Sequence, residues 1–114
     1  MYKIINIKEN LPNSEYAIYL AHHEIECAKL EGVDVLIVIH GYGSKGVGGV
    51  IKKELHKSLD ELMHNGKIRA YIPGERWAEF NDEVGKITQK YPNLLINSEL
   101  TCLNAGITVI NVSL

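Results

Sequence analysis

Five of the nine residues from position 41 to 49 are glycine, in the stretch His40-Gly-Tyr-Gly-Ser-Lys-Gly-Val-Gly-Gly. Glycine has no Cβ, so its backbone N–H groups can turn toward an approaching anion. A helix opening at such a place adds the partial positive charge of its N-terminus. Lys45, inside the stretch, and Lys52 and Lys53, just after it, contribute full positive charge. The chemistry implied is the holding of a phosphate group by Gly41, Gly43, Gly46 and Gly48, with Lys45 and Lys52 beside them. His40 ends an apolar run and has a directed side chain. Protonated, it can meet a phosphate; neutral, it can brace the loop through a hydrogen bond. Tyr42 offers a ring on which an unpaired base can stack, or a lid over the core.

Known phosphate-binding loops fit the stretch poorly. Gly41 to Gly46 satisfies G-x-G-x-x-G, but the acidic ribose partner expected about 20 residues later is misplaced, and Glu75 lies too far along. A Walker loop requires lysine after its last glycine, and Gly49 follows Gly48 instead. The strand followed by His-Gly suggests the oxyanion loop of α/β-hydrolases, yet no G-x-S-x-G occurs in the chain.

Smaller groups elsewhere read as structural. His23-Glu24-Ile25-Glu26-Cys27 departs from the H-E-x-x-H zinc helix by a cysteine in fifth place, with no third ligand in view, so no metal site is assigned. His22, His23, Glu24 and Glu26 read as a solvated helix face, and His56 and His64 as surface residues of the next helix. Cys27 and Cys102, without a metal or disulfide pattern, read as reduced and structural. Glu75 and Arg76 fall just after the third strand, at the edge where the glycine stretch lies.

Hydrophobic periodicity supplies the elements that position these residues. Ile4, Ile5 and Ile7 mark a first strand. Ile18, Ala21, Ile25 and Ala28 recur at helical spacing after a predicted cap at Asn13, and Gly32 marks the stop. Val35 to Ile39 is apolar on both faces, as a central parallel strand should be. Ile51, Leu55, Leu59 and Leu62 trace the second helix, ended by Asn65 and Gly66. Ile68 to Ile72 predict a third strand, broken by Pro73 and Gly74. Trp77, Phe80, Val84, Ile87 and Tyr91 alternate steps of three and four, predicting one helix stopped by Pro92. LLINSELTCLN is ambiguous, and Gly106 to Val112 reads as the last strand. The order is β-α-β-α-β-α-β, an α/β domain whose first two crossovers imply parallel strands.

At 114 residues, 46% of them hydrophobic, the chain is expected to form one domain with one core. The formal net charge of -2 announces neither a nucleic-acid nor a membrane partner, so a basic surface has to be local. The longest apolar run is too short to span a bilayer and the first residues lack a signal-peptide core. The expectation is therefore a cytoplasmic protein without a membrane partner.

The strand ending in His40-Gly41-Tyr42-Gly43, with Gly46, Gly48 and Gly49 ahead of a helix, closely resembles the signature of the Smr domain, the small MutS-related module. Gly106-Ile-Thr-Val-Ile resembles that family's closing strand. The resemblance covers nearly all of residues 1–114 as a single domain, with 74–105 as an enlarged connection. It implies a two-layer, mixed four-stranded sheet similar to the C-terminal domain of translation initiation factor 3. It also implies nucleic-acid binding, to DNA or RNA, and in some members endonuclease cleavage. Members that cut carry Leu-Asp-x-His at the end of the first strand, where this chain has Ile5-Asn6-Ile7-Lys8. An amide cannot act as a general base and holds a hard cation less well than a carboxylate, whereas Lys8 can meet a phosphate as a point charge. The expectation is phosphate binding by Lys8, His40, Gly41, Tyr42, Gly43, Lys45, Gly46, Gly48 and Lys52, without a cofactor. The alternatives are a metal-assisted nuclease and a module for small phosphorylated ligands or proteins. The nuclease would use His40, Mg2+ or Mn2+, and Glu9 or Glu75 in place of the missing carboxylate.

Overall fold

The computed structural model describes residues 1–7, 14–41, 47–92 and 105–114. Lys8, Glu9, Asn13, Tyr42, Gly43, Lys45, Gly46 and the stretch LLINSELTCLN lie outside the described residues. The elements are β1 (Tyr2–Asn6), α1 (Ser14–Glu31), β2 (Val35–Ile39), α2 (Val47–His64), β3 (Ala70–Pro73), a 3-10 helix (Gly74–Glu79), α3 (Asn81–Lys90) and β4 (Ile107–Asn111).

Local sequence accounts for most of these boundaries. In α1, Ala17, Ala21, Ile25 and Ala28 are all buried, so the apolar stripe lies against the sheet. Gly32 and Gly66, after α1 and α2, have φ of 77° and 72°, the left-handed conformation that glycine adopts without steric cost. The single helix expected from Trp77 to Tyr91 is instead two segments. Phe80, at φ -108° and ψ 58°, separates the 3-10 helix from α3. Asp82 and Glu83 then fill the first turn of α3, where the helix dipole favours negative charge. The apolar rhythm survives the break because Trp77, Phe80, Val84, Ile87 and Tyr91 all reach the same cluster.

The four strands form one mixed sheet in the order β1-β2-β4-β3. β1 and β2 run parallel, while β4 is antiparallel to both β2 and β3. β2 and β3 therefore share a direction, as the crossovers implied, but β4 lies between them. All five residues of β4 are buried, which suits a central position; β3 carries half-buried Tyr71 and ends in Pro73 at an edge.

Both faces of the sheet are covered at β2, β4 and β3, while Tyr2 and Ile4 of the edge strand β1 stay exposed; the expectation of two layers is corrected accordingly. Leu36, Val38 and Ile110 pack with Ala21, Ile25, Leu55 and Leu59 of α1 and α2. On the opposite face Val35, Ile37 and Val109 pack with Trp77 and Ile87 of the 3-10 helix and α3. Strands apolar on both faces need a cover on each, and a two-layer arrangement would leave one of those faces wet. Among the described residues no helix is long and apolar enough to cross a membrane.

Fully buried Leu55 and 89%-exposed Leu30 calibrate this packing. Leu55→Ala should lower the unfolding free energy by about 2 to 5 kcal/mol, and Leu30→Ala by no more than about 0.5 kcal/mol. Urea denaturation of both variants measures the difference; equal losses would contradict the assigned core.

Candidate functional site

The register brings the carboxyl ends of β1, β2 and β3 to one edge of the sheet. Asn6 pairs with Ile39, Ile39 with Ile107, and Pro73 with Thr108. Open α/β sheets bind ligands at this edge. His40 follows β2 here, α2 begins here at Val47, and Glu75 follows β3 in the 3-10 helix.

His40 is completely buried. Its Nδ1 lies 3.0 Å from the carbonyl oxygen of Gly41, and its Nε2 lies 2.9 Å from Thr108 Oγ1. Thr108 Oγ1 is also 2.7 Å from Nε2 of His56 on α2. These contacts set the direction of every proton when both rings are neutral. A carbonyl only accepts, so His40 Nδ1–H donates to Gly41. His40 Nε2 then has only a lone pair, which accepts the Thr108 hydroxyl proton, and the hydroxyl oxygen accepts from His56 Nε2–H. Burial holds the His40 pKa below its ordinary value, outweighing the opposing effect of the Gly41 carbonyl. Burial, reinforced by His40 and Lys52, pushes His56 down to about 4.

The network continues along α2. The His56 and Tyr71 rings lie 5.1 Å apart, and the Tyr71 hydroxyl donates to Asp60 Oδ1 at 2.7 Å. Burial and the Asp60 carboxylate push the Tyr71 pKa up to about 12. Lys52 Nζ donates to Glu75 Oε1 at 2.7 Å. Burial alone would raise the Glu75 carboxyl, but the hydrogen bond from Lys52 leads the effects that hold it below the ordinary value. Glu75 Oε2 is buried with no hydrogen-bond partner among the described residues. Lys52, His56 and Asp60 thus form a polar stripe spaced by four residues, beside the core stripe of Ile51, Leu55 and Leu59.

The structure distributes the expected phosphate ligands unevenly. His40 braces its surroundings and presents no nitrogen to solvent. The amides of His40 and Gly41 both donate to the Gly106 carbonyl, at 2.9 and 3.0 Å. Gly41 has φ of 82°, so glycine is required there by the backbone, and its N–H is already committed to β4. Gly48 falls in the first turn of α2, which contains no acidic residue. Lys52 reaches the edge but is paired with Glu75. Lys53 is exposed on the same helix. Lys8, Tyr42, Gly43, Lys45 and Gly46 lie outside the described residues.

The reading of His56 as a surface residue is corrected by its shared hydroxyl, and His64 is exposed as expected. His22 also departs from a solvated face, because it bonds to Ser58 of α2. Thr108 was not singled out, although a hydroxyl amid the apolar residues of β4 is a legible anomaly. The 4-residue spacing of Lys52, His56 and Asp60 was the signal for the stripe.

An open hollow of about 500 Å3, lined by Arg69, Lys86, Gln89, Lys90 and Leu114, lies at the opposite edge. Its cations are paired: Arg69 and Lys86 with Glu83, and Lys90 with Asp34. It is therefore a weaker candidate than the edge around His40, where the strand ends, the helix start and the histidine network meet. Among the described residues no three His, Cys, Asp or Glu side chains converge on a metal position. No protein-family model matches the chain, and neither characterised proteins nor solved structures include a significant match.

Thr108→Val keeps the shape of the side chain and removes the shared hydroxyl. It should destabilise the protein by about 1 to 3 kcal/mol, because the buried His40 Nε2 and the half-buried His56 Nε2 lose their partner. A loss under about 0.5 kcal/mol in urea denaturation would contradict the network.

Acid should act through His56. The unfolded chain takes up a proton near the ordinary value of 6.5, while the folded chain resists until about 4. Stability is therefore present in full above about pH 6.5 and is lost progressively as pH falls toward 4. The loss is about 2 kcal/mol, less than the whole shift would give because the ring is partly exposed. His40 acts in the same direction. In His56→Gln, which retains a donor for Thr108, the fall between pH 7 and 4 should shrink; an unchanged profile would contradict the assignment.

Proposed function

We propose that this chain is an Smr-like domain that binds nucleic acid, DNA or RNA, through its phosphates. The observation that carries this reading is the start of α2. A helix without an acidic first turn opens inside a glycine-rich stretch, at the strand edge where ligands bind, with Lys52 and Lys53 on its opening turns. The mixed four-stranded sheet supports this reading, while the helices on both of its faces depart from the two layers that the resemblance to the C-terminal domain of translation initiation factor 3 implies; a cytoplasmic location belongs to the same proposal.

In this reading phosphates meet the amides of Gly43, Gly46 and Gly48 and the charges of Lys8, Lys45 and Lys52, while Tyr42 stacks on a base. His40 and Gly41 act indirectly by fastening the end of β2 to Gly106 and Thr108. Such contacts recognise backbone shape rather than base sequence. Cleavage is the less supported alternative. His40, the acid-base candidate, has both ring nitrogens engaged, and Asn6 and Lys8 stand where cutting members carry Asp and His.

The Lys52–Glu75 pair makes the reading testable, because a phosphate near Lys52 has to compete with a carboxylate. Fluorescence anisotropy should be measured with labelled single-stranded RNA, duplex DNA and branched DNA across a salt series, with and without Mg2+ or Mn2+. Lys45→Ala should weaken all three similarly and lower the salt slope by about one. Glu75→Gln, which releases Lys52, should strengthen binding several-fold and steepen the slope by about one. Slopes unchanged in both variants would move the assignment to small phosphorylated ligands or proteins, and cleaved products would revive the nuclease.

A further inference from the structure

α3 divides its charge by halves: Asp82 and Glu83 occupy its first turn, Lys90 its last, and Lys86 stands between. Two open hollows of nearly equal size and opposite sign flank it. One, of about 510 Å3, is lined by Glu79, Asp82 and Glu83 together with Phe80 and Asn81. The other is the hollow of about 500 Å3 that holds Arg69, Lys86 and Lys90. Asp82 is exposed and forms no ion pair among the described residues. Arg69 and Lys86 approach Glu83 only to 3.7 and 3.6 Å, too far for a hydrogen bond, so their donors keep capacity for a further carboxylate. Glu83 is held away from closing that gap, because its other oxygen accepts from the buried Asn111 at 2.8 Å.

Gly85 stands midway along the helix. It is exposed, and a Cβ at this position would have nothing within 4 Å. Glycine inside a helix is destabilising relative to alanine. Neither a positive φ nor a close neighbour in the chain requires it here. The helix dipole favours the acidic start and the basic end separately, yet gives no reason for the glycine between them. Asp82, Gly85 and Gln89, at spacings of three and four, are all exposed, so the bare backbone lies at the centre of the outward stripe.

We infer that the exposed face of α3 is the contact through which two copies of this chain pair, their α3 helices antiparallel and crossing at Gly85. A twofold axis there turns the acidic half of one helix onto the basic half of the other, and repeats the match on the far side of the axis. Parallel helices would instead set like charges together. Without a Cβ at the crossing the two backbones approach closely, which brings Asp82 of each copy toward Lys86 and Lys90 of the other. One helix of 10 residues gives a contact at the small end of interface sizes, so the dimer is weak and sensitive to salt. α3 covers the sheet face opposite α1 and α2. The pairing therefore leaves the start of α2 open and does not rest on the nucleic-acid reading.

The test is sedimentation equilibrium of the full chain at low salt, up to about 1 mM protein, where even a millimolar association registers. The wild-type protein should shift from monomer to dimer with concentration and return to monomer as salt is raised. Asp82→Lys and Lys86→Glu should each remain monomeric, since each sets like charges against each other on both sides of the axis. An equimolar mixture of the two variants should recover the dimer, because every pair across the axis is again of opposite sign. A role confined to the folding of one chain would not be rescued in this way. Gly85→Gln, which brings a better helix former and a bulky side chain, should raise thermal stability and abolish the dimer. Circular dichroism of each variant separates lost pairing from lost folding. A monomer at the highest concentration, a dimer unchanged by Asp82→Lys or Gly85→Gln, or a mixture that stays monomeric would overturn the inference.

Discussion

A single hydroxyl shared by two imidazoles ties the carboxyl edge of this domain together. Thr108 Oγ1 stands between His40, which follows β2, and His56 in the middle of α2. One proton on oxygen and one on each neutral ring allow one consistent direction, from His56 through Thr108 to His40 and on to the Gly41 carbonyl. Reversing one member would set two protons or two lone pairs against each other in a site with little access to water. Such buried networks favour one arrangement because partial satisfaction is costly. The chain joins β2, β4 and α2 where the glycine-rich stretch begins.

That constraint separates bracing from binding. The first two amides after β2 and the His40 ring are committed to β4, which fixes the point of departure for residues 42–46. The positive end of α2, Lys52 and the exposed Lys53 lie beyond that anchor. Glu75 balances Lys52, and its other carboxylate oxygen is buried without a partner among the described residues. In the proposed nucleic-acid reading, Glu75 tunes the edge toward weaker, competitive binding. A chain with net negative charge would then present positive charge only locally.

The fold was legible where one residue type decides one feature. Val35 to Ile39 identified β2 because a short, β-branched apolar run bounded by turn signals suits a strand covered on both faces, and Gly32 and Gly66 marked helix ends, where they adopt positive φ. Helix rhythm located α3 but could not register the break at Phe80, since apolar residues on both sides of a kink can reach the same core. The insertion of β4 between β2 and β3 depends on pairing across distant sequence, although the apolar character of Ile107 to Ile110 hinted at a central strand. His56 was misread for a related reason: its partner comes from a strand 52 positions away. Periodicity reports which face a residue occupies, not which hydroxyl awaits it.

The direction of the hydrogen-bond chain can be read by nitrogen NMR of the imidazole rings in the folded protein. The account predicts His40 neutral at pH 8 with its proton on Nδ1 and its titration displaced below the ordinary value, and His56 neutral with its proton on Nε2 and titrating near about 4. A His40 ring that titrates near the ordinary 6.5, or carries its proton on Nε2, would contradict it.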